Sequence, residues 1–216
     1  MSDQRLSPEE RTSGNELRRV EYREAAKRYD REAAFFDRWV FGPGHRSWAC
    51  SRATGSTLEV AVGTGLNLPL YPAGAVVTGV DLSPEMLAVA RHRAVELGRP
   101  VGLALGDAQE LPFADSTFDT VVSTYAMCSV PDLVQTISEM HRVLKIGGRL
   151  ILVDHIRSSL RPILWIQRLM ERSPRRIGGE LTRRPLLHVE AAGFDIEASD
   201  RSRGGMVERL VARRTS

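Results

Sequence analysis

The apolar run Leu58-Glu59-Val60-Ala61-Val62 breaks at Gly63-Thr64-Gly65-Leu66-Asn67, and Val76-Val77-Thr78-Gly79-Val80 ends on Asp81. Together these stretches carry the residue types that hold a nucleoside. A residue without Cβ turns the chain sharply and lets a ligand lie against the backbone. The segment after the turn aims free N–H groups at whatever lies there. A carboxylate at the end of the next strand can accept both hydroxyls of a ribose. The G-x-G-x-x-G pattern of dinucleotide sites is incomplete, because position 68 is Leu68. Acid–base chemistry is offered by His155, next to Asp154 after another apolar run, and by Tyr22 and Tyr29 near the N-terminus.

To position these residues the chain must alternate strands and helices. Strands are expected at about 57–62, 75–80, 101–105, 119–125 and Arg149–Asp154. Ser83-Pro84-Glu85 starts a helix, with Ser as N-cap and Pro in the first turn, that closes near Gly98. A second helix runs from Pro131 or Asp132 to Lys145, before Gly147-Gly148, and a third from Leu181 to Ala192, before Gly193. The result is an α/β, Rossmann-like sheet, mostly parallel, with helices on both faces. The last two strands, about 194–200 and 206–213, follow one another without a helix and must pair antiparallel.

Upstream, residues 1–15 are polar and expected to be a flexible tail. Apolar residues then recur at helical spacing from Glu16 to about Trp39, Gly42-Pro43-Gly44 breaks the pattern, and His45–Arg52 reads as a short helix with Trp48 inward. We expect one domain over 16–216, with an N-terminal helical lid at 16–53 and an insertion at 156–180. The chain has 216 residues, a net charge of +3 and two cysteines, Cys50 and Cys128, without metal-ligand spacing. No metal is expected, and a reduced, cytoplasmic protein is the simple reading. No aromatic-interleaved basic module points to nucleic acid. Monomer and homodimer both fit.

Glu59-Val-Ala-Val-Gly63-Thr-Gly65-x-Asn67 resembles motif I of the class I S-adenosylmethionine (SAM) methyltransferases, and Asp81 resembles their ribose-binding acid. Gly106-Asp107-Ala108 is similar to their adenine-binding turn. Leu111-Pro112-Phe113-Ala114-Asp115 and Val143-Leu144-Lys145-x-Gly147-Gly148 are similar to the turns before the fourth and fifth strands. The resemblance covers roughly residues 20–215 and implies a seven-stranded sheet with an antiparallel last strand. It implies SAM as cofactor, with S-adenosylhomocysteine as product. The cofactor contacts implied are Glu59, Gly63, Thr64, Gly65, Asn67 and Asp81, then Leu82, Met86, Asp107 and Ala108, and Thr124 from the fourth strand. Thr124-Tyr-Ala-Met-Cys128-Ser129-Val130, Asp154-His155 and Leu70-Tyr71-Pro72 look most like the subgroup of the ubiquinone and menaquinone methyltransferases. That subgroup includes bacterial phosphatidylethanolamine N-methyltransferases and thiol S-methyltransferases, which use small molecules or lipids.

The resemblance implies transfer of the sulfonium methyl to a small acceptor by in-line displacement, in which holding the nucleophile close and aligned does much of the work. A thiol acceptor is favoured through the Cys128-Ser129-Val130 neighbourhood, ahead of an amine or hydroxyl. His155 is the candidate base, or else a histidine hydrogen-bonded in its loop. Tyr22 and Tyr29 reach the acceptor from the lid, with Tyr29 also a candidate for catalysis, or are simply helix packing. Cys128 is expected on the pocket wall. The insertion carries arginines from Arg157 to Arg184, Arg175 and Arg176 among them, interleaved with Ile163, Leu164, Trp165, Ile166, Leu169 and Met170. It reads either as a cap on the acceptor pocket or as a helix lying on an anionic membrane. A phospholipid or quinone methyltransferase acting at the membrane surface, and a non-catalytic SAM-binding interaction module, are the alternative functions.

Overall fold

The computed structural model describes residues 5–172 and 180–216. Ser7-Pro8-Glu9-Glu10 opens helix α1, Pro8–Ala25. The Ser7 hydroxyl accepts from the Glu10 amide, and the Glu10 carboxylate accepts from the Ser7 amide. The described part of the expected flexible tail is therefore helical from Pro8. Its polar composition reflects a helix with no buried residue, not a lack of structure. The single helix expected over Glu16–Trp39 is interrupted: α2 spans Tyr29–Phe35, and one π-helical turn follows at Phe36–Val40. Gly44, at φ 88, then admits the short α3, His45–Cys50.

The sheet is built from β1 (Ser56–Val60), β2 (Val76–Asp81), β3 (Gly102–Leu105) and β4 (Phe118–Thr124), then β5 (Leu144–His155), β6 (Phe194–Ser202) and β7 (Val207–Arg214). Helices α4 (Pro84–Glu96), α5 (Leu133–Val143), α6 (Arg161–Glu171) and α7 (Pro185–Ala191) connect them. The strand order is β3-β2-β1-β4-β5-β7-β6, with β7 antiparallel to both neighbours and the remaining pairs parallel. β5 begins earlier than Arg149, because Leu144 already pairs with Phe118 before a register shift around Gly147. α7 begins later than Leu181, at the Arg184-Pro185 step that suits a helix start. The Leu181–Arg184 stretch serves the pocket loop instead.

Apolar side chains fill both faces of the sheet. Leu58, Val60, Val121 and Leu150 pack with Ile137 and Met140 of α5 on one side, and Val77, Val122 and Ile151 with Ala49 and Cys50 of α3 on the other. Chain order runs outward from β1 to β3 and then restarts at β4. The carboxyl ends of β1 and β4 therefore flank a crevice, the place where open α/β sheets bind ligands.

Candidate functional site

One pocket opens at that crevice. Its floor is Ala61, Gly63, Val80 and Asp81, and its sides are Leu82, Met86, Gly106–Ala108, Thr124–Ala126 and Ser129–Pro131. Asn15, Arg18, Tyr22 and Tyr29 cover it from above. The two motif glycines have different jobs. Gly63, at φ 56, leaves open space where a Cβ would stand, with only a Tyr29 ring carbon 4.0 Å away. Gly65, at φ 78, lets the turn press on Leu68 and on the backbone of Ala90 in α4, which a Cβ would meet at 2.8 and 3.3 Å. Gly63 borders the open pocket; Gly65 packs the loop.

Asp81 lies at the end of β2 and is mostly buried. Its Oδ2 accepts from the Gly63 amide at 2.8 Å and its Oδ1 from the Ser83 amide at 2.9 Å. Burial pushes its carboxyl upward and these backbone donors pull it back. Asp107 accepts from the Gln109 amide at 2.9 Å and from the Asn15 carboxamide of the lid at 2.6 Å. Two carboxylates thus line one pocket, with apolar Leu82, Met86 and Ala108 beside them.

The remaining cofactor candidates stand behind this wall. Glu59 is fully enclosed and accepts from Asn67 at 2.7 Å and Tyr71 at 2.9 Å. Burial raises its carboxyl to about 7 against the pull of those two donors. Asn67 also donates to Thr124 Oγ1 at 2.9 Å. Thr64 donates to Asp30 of α2 at 2.6 Å, and Arg93 of α4 bonds both Asp30 and the Thr64 carbonyl. Of the sequence candidates, Gly63, Asp81, Leu82, Met86, Asp107, Ala108 and Thr124 line the pocket. Glu59, Thr64, Gly65 and Asn67 support it from outside. Arg46 was not foreseen. It bonds Asp37 at 2.7 Å and Thr124 at 2.9 Å, and lies 4.9 Å from the Tyr125 ring centroid.

Three tyrosines line the same pocket. Tyr22 donates to Ser129 at 2.8 Å, and Tyr29 and Tyr125 stand beside it. Burial raises all three phenols, so none ionises near neutrality. Tyr125 sits at φ 56, an unusual conformation for a bulky residue, and stacks on Phe41 at 4.9 Å. Asn15, Arg18 and Tyr125 are pocket residues that sequence reasoning missed.

Cys128 and His155 do not line the pocket. The Cys128 sulfur lies 3.9 Å from the Tyr125 carbonyl and 3.5 Å from Ser129 Oγ. His155 is buried beneath Phe41, its ring stacked at 5.4 Å, with Nδ1 3.9 Å from Asp154 Oδ1. Burial opposes its charge, but Cys128 and Asp154 outweigh that and raise the imidazole to about 9. Cys128, Asp154 and His155 thus form a closed acid–base cluster behind the pocket, with their donor atoms within 4.8 Å of one another.

Residues 58–152 match the methyltransferase domain family. A phosphatidylethanolamine N-methyltransferase of Cereibacter sphaeroides is 44% identical over 126 residues, 57% of this chain and 62% of that protein. A demethylmenaquinone methyltransferase of Symbiobacterium thermophilum is 45% identical over 104 residues, 45% of this chain and 41% of that protein. The matched region thus spans between two fifths and just under two thirds of these two relatives. Among solved structures, a SAM-dependent methyltransferase of Methanosarcina mazei has a TM-score of 0.62 at 23% identity, covering 74% of this chain and 92% of that one. The [4+2]-cyclase SpnF has a TM-score of 0.66 at 20% identity, covering 79% and 78%. These likenesses fix the fold; the cyclase shows that the fold also hosts other chemistry.

Proposed function

We propose that the chain is a class I SAM-dependent methyltransferase of the phosphatidylethanolamine and quinone methyltransferase subgroup, with SAM as its cofactor, and that it methylates an amine nitrogen carried by a phospholipid-type acceptor. The observation that carries the choice of acceptor is that Tyr22, Tyr29 and Tyr125 line the same pocket as Asp81. Aromatic faces suit a cationic group in a water-poor pocket. The N-methyltransferase named among the relatives supports the same choice. A thiol has no such support, since Cys128 of the Cys128-Ser129-Val130 neighbourhood turns away toward His155.

SAM supplies a methyl group on a sulfonium, an electrophile that needs only an aligned nucleophile. Gly63 would leave room for it at the floor, Asp81 and Asp107 would present acceptors to its hydroxyls and amino group, and Leu82 and Met86 would flank its base. Tyr22, Tyr29 and Ser129 of the same pocket would hold the acceptor. Asp81 and Asp107 are assigned to the cofactor, and His155 is outside the pocket and charged near neutrality. No side-chain base therefore takes the ammonium proton; it leaves to water before transfer, and the protein contributes proximity, alignment and exclusion of water.

The test is incubation with labelled SAM and mixed micelles containing phosphatidylethanolamine, a demethylated quinone or a hydrophobic thiol, followed by mass spectrometry of each lipid. Methylated headgroup amine is the expected product. Label in the quinone or thiol alone would overturn the choice of acceptor, and label in none of them would overturn the class.

A further inference from the structure

Glu59 is a carboxyl enclosed without a cation. It lies in the middle of the sheet, with Gly79 of β2 and Val122 of β4 as its register partners, and is 2% exposed. Its two oxygens accept from neutral donors, the Asn67 carboxamide at 2.7 Å and the Tyr71 hydroxyl at 2.9 Å. Among the described residues no charged group bonds it. The Arg46 guanidinium of α3 stops one residue short: it bonds Asp37 at 2.7 Å, Thr124 at 2.9 Å and the Asn67 side-chain oxygen at 3.4 Å. An ionised carboxylate held in this way is costly, because only neutral dipoles replace its water. Burial accordingly outweighs both donors and raises the carboxyl to about 7.

The groups around it do not share this property. Cys50 of α3 and Tyr71 of the turn after β1 are both raised by burial and stay neutral. Arg46 keeps its charge beside Asp37. Asn67 and Thr124 carry none. Asp81 of β2 faces Glu59 from the pocket floor, where it accepts from the Gly63 and Ser83 amides. Thr124 lines the pocket, and the Asn67 carboxamide donates to both Thr124 and Glu59. Glu59 is therefore two hydrogen bonds behind the pocket wall. Both intervening residues are buried. A charge placed in the pocket acts on Glu59 through protein rather than water, and is weakly screened.

We propose that Glu59 tells the charged cofactor from its neutral product: it gives up its proton to solvent when the sulfonium of SAM lies in the pocket, and keeps it when the thioether of S-adenosylhomocysteine lies there. The inference rests on the reading of the pocket as a SAM site and is independent of the acceptor. A positive charge favours the carboxylate, and by linkage the carboxylate favours the positive charge by the same factor. The product offers no such charge and gains nothing. The preference for cofactor over product therefore strengthens as pH rises through about 6 to 7 and is constant above that range.

The experiment is calorimetry of the whole chain at pH 6.5 in phosphate and in imidazole. The two buffers take up a proton with different heats, so together they count the protons released as SAM or S-adenosylhomocysteine binds. A charge that lowers the carboxyl from about 7 to about 6 frees about half a proton at that pH. Wild type is expected to release about half a proton more than E59Q with SAM, and the same as E59Q with the product. The ligands' own amino groups count equally in both proteins. Between pH 6 and 8 the ratio of SAM to product affinity should rise about fivefold more in wild type than in E59Q. Y71F removes a donor to the carboxylate and should move the extra release to higher pH. Equal proton counts in wild type and E59Q would overturn the proposal, as would an equal excess with the product. If E59Q binds neither ligand, Y71F decides: a release whose pH dependence matches wild type would overturn the proposal. SAM binding without the excess release would remove this role of Glu59 and leave the cofactor site standing, whereas no SAM binding by wild type would overturn both.

Discussion

His155 makes a prediction that separates its structural role from a catalytic one. Its imidazole is buried between Phe41, Cys128 and Asp154, and holds its proton up to about 9 against an ordinary value near 6.5. Between those two pH values His155 keeps in the native chain a proton that it has lost in the unfolded chain. Stability therefore falls as pH rises, by about 1.4 kcal/mol per pH unit for this one group. The advantage is complete below about 6.5 and is lost as pH passes about 9, a total of about 3 kcal/mol at most. H155Q removes that titration. It also loses the ring stack, so the variant is less stable at pH 6, but the slope and not the offset carries the test. Urea unfolding of wild type and H155Q from pH 6 to 9.5 should show their difference narrowing by about 3 kcal/mol. C128A removes the neighbour that raises the imidazole most and should shift the loss to lower pH. Methyl transfer to an amine should climb with pH in parallel in wild type and H155Q, since the free amine stays scarce until about pH 10. Stability curves that run parallel across this range would refute the buried imidazolium. A steeper pH–rate profile in wild type than in H155Q would return His155 to the chemistry.

Three further outcomes follow from the same geometry. D81N keeps the side chain's shape and one oxygen facing the loop amides but removes the charge at the ribose position, so SAM affinity should fall by about 1.5–3 kcal/mol in calorimetry; an unchanged Kd would refute the assignment. R93A cuts the link between Asp30 and the Thr64 carbonyl and should raise the KM for SAM about three- to tenfold with kcat little changed, read from initial rates. R183A leaves three loop carbonyls without their donor and should cost about 2–4 kcal/mol in urea unfolding, against R203A on the exposed turn as control.

The sheet was legible because its strands are apolar, short and separated by strong breaks. Val60 and Val80 are fully buried in their strands, and Ser83-Pro84 forms a helix cap by local chemistry alone. Asp81 and Asp107 were legible for the same reason, since each follows a strand whose end could be located. Residues that depend on two distant segments were not. Arg46 meets Asp37 across the Gly42–Gly44 break, where no helical spacing carries over, and Asn15 reaches Asp107 from a helix whose polarity looked like a disordered tail. His155 was placed on the correct strand, but a one-residue alternation decides which face its ring takes. Likewise the amphipathic pattern of 161–171 was plain, while the direction it faces is set by the three bonds of Gln167. The arginines Arg175 and Arg176 of that insertion lie outside the described residues.

The lid helix α1 buries no residue, yet Asn15, Arg18 and Tyr22 on its underside close the pocket. Asn15 to Asp107, Arg19 to the Leu82 carbonyl, Tyr22 to Ser129 and Arg23 to Glu85 are side-chain contacts that part without exposing any core. Lifting this helix is thus a local opening, far easier than unfolding the sheet. Its amides should exchange with deuterated solvent well before those of β1 and β4, and should slow when a ligand bridges the lid and the strand ends. With the cofactor held beneath α1 as proposed, that opening rate would also be the ceiling on how fast spent cofactor can be replaced.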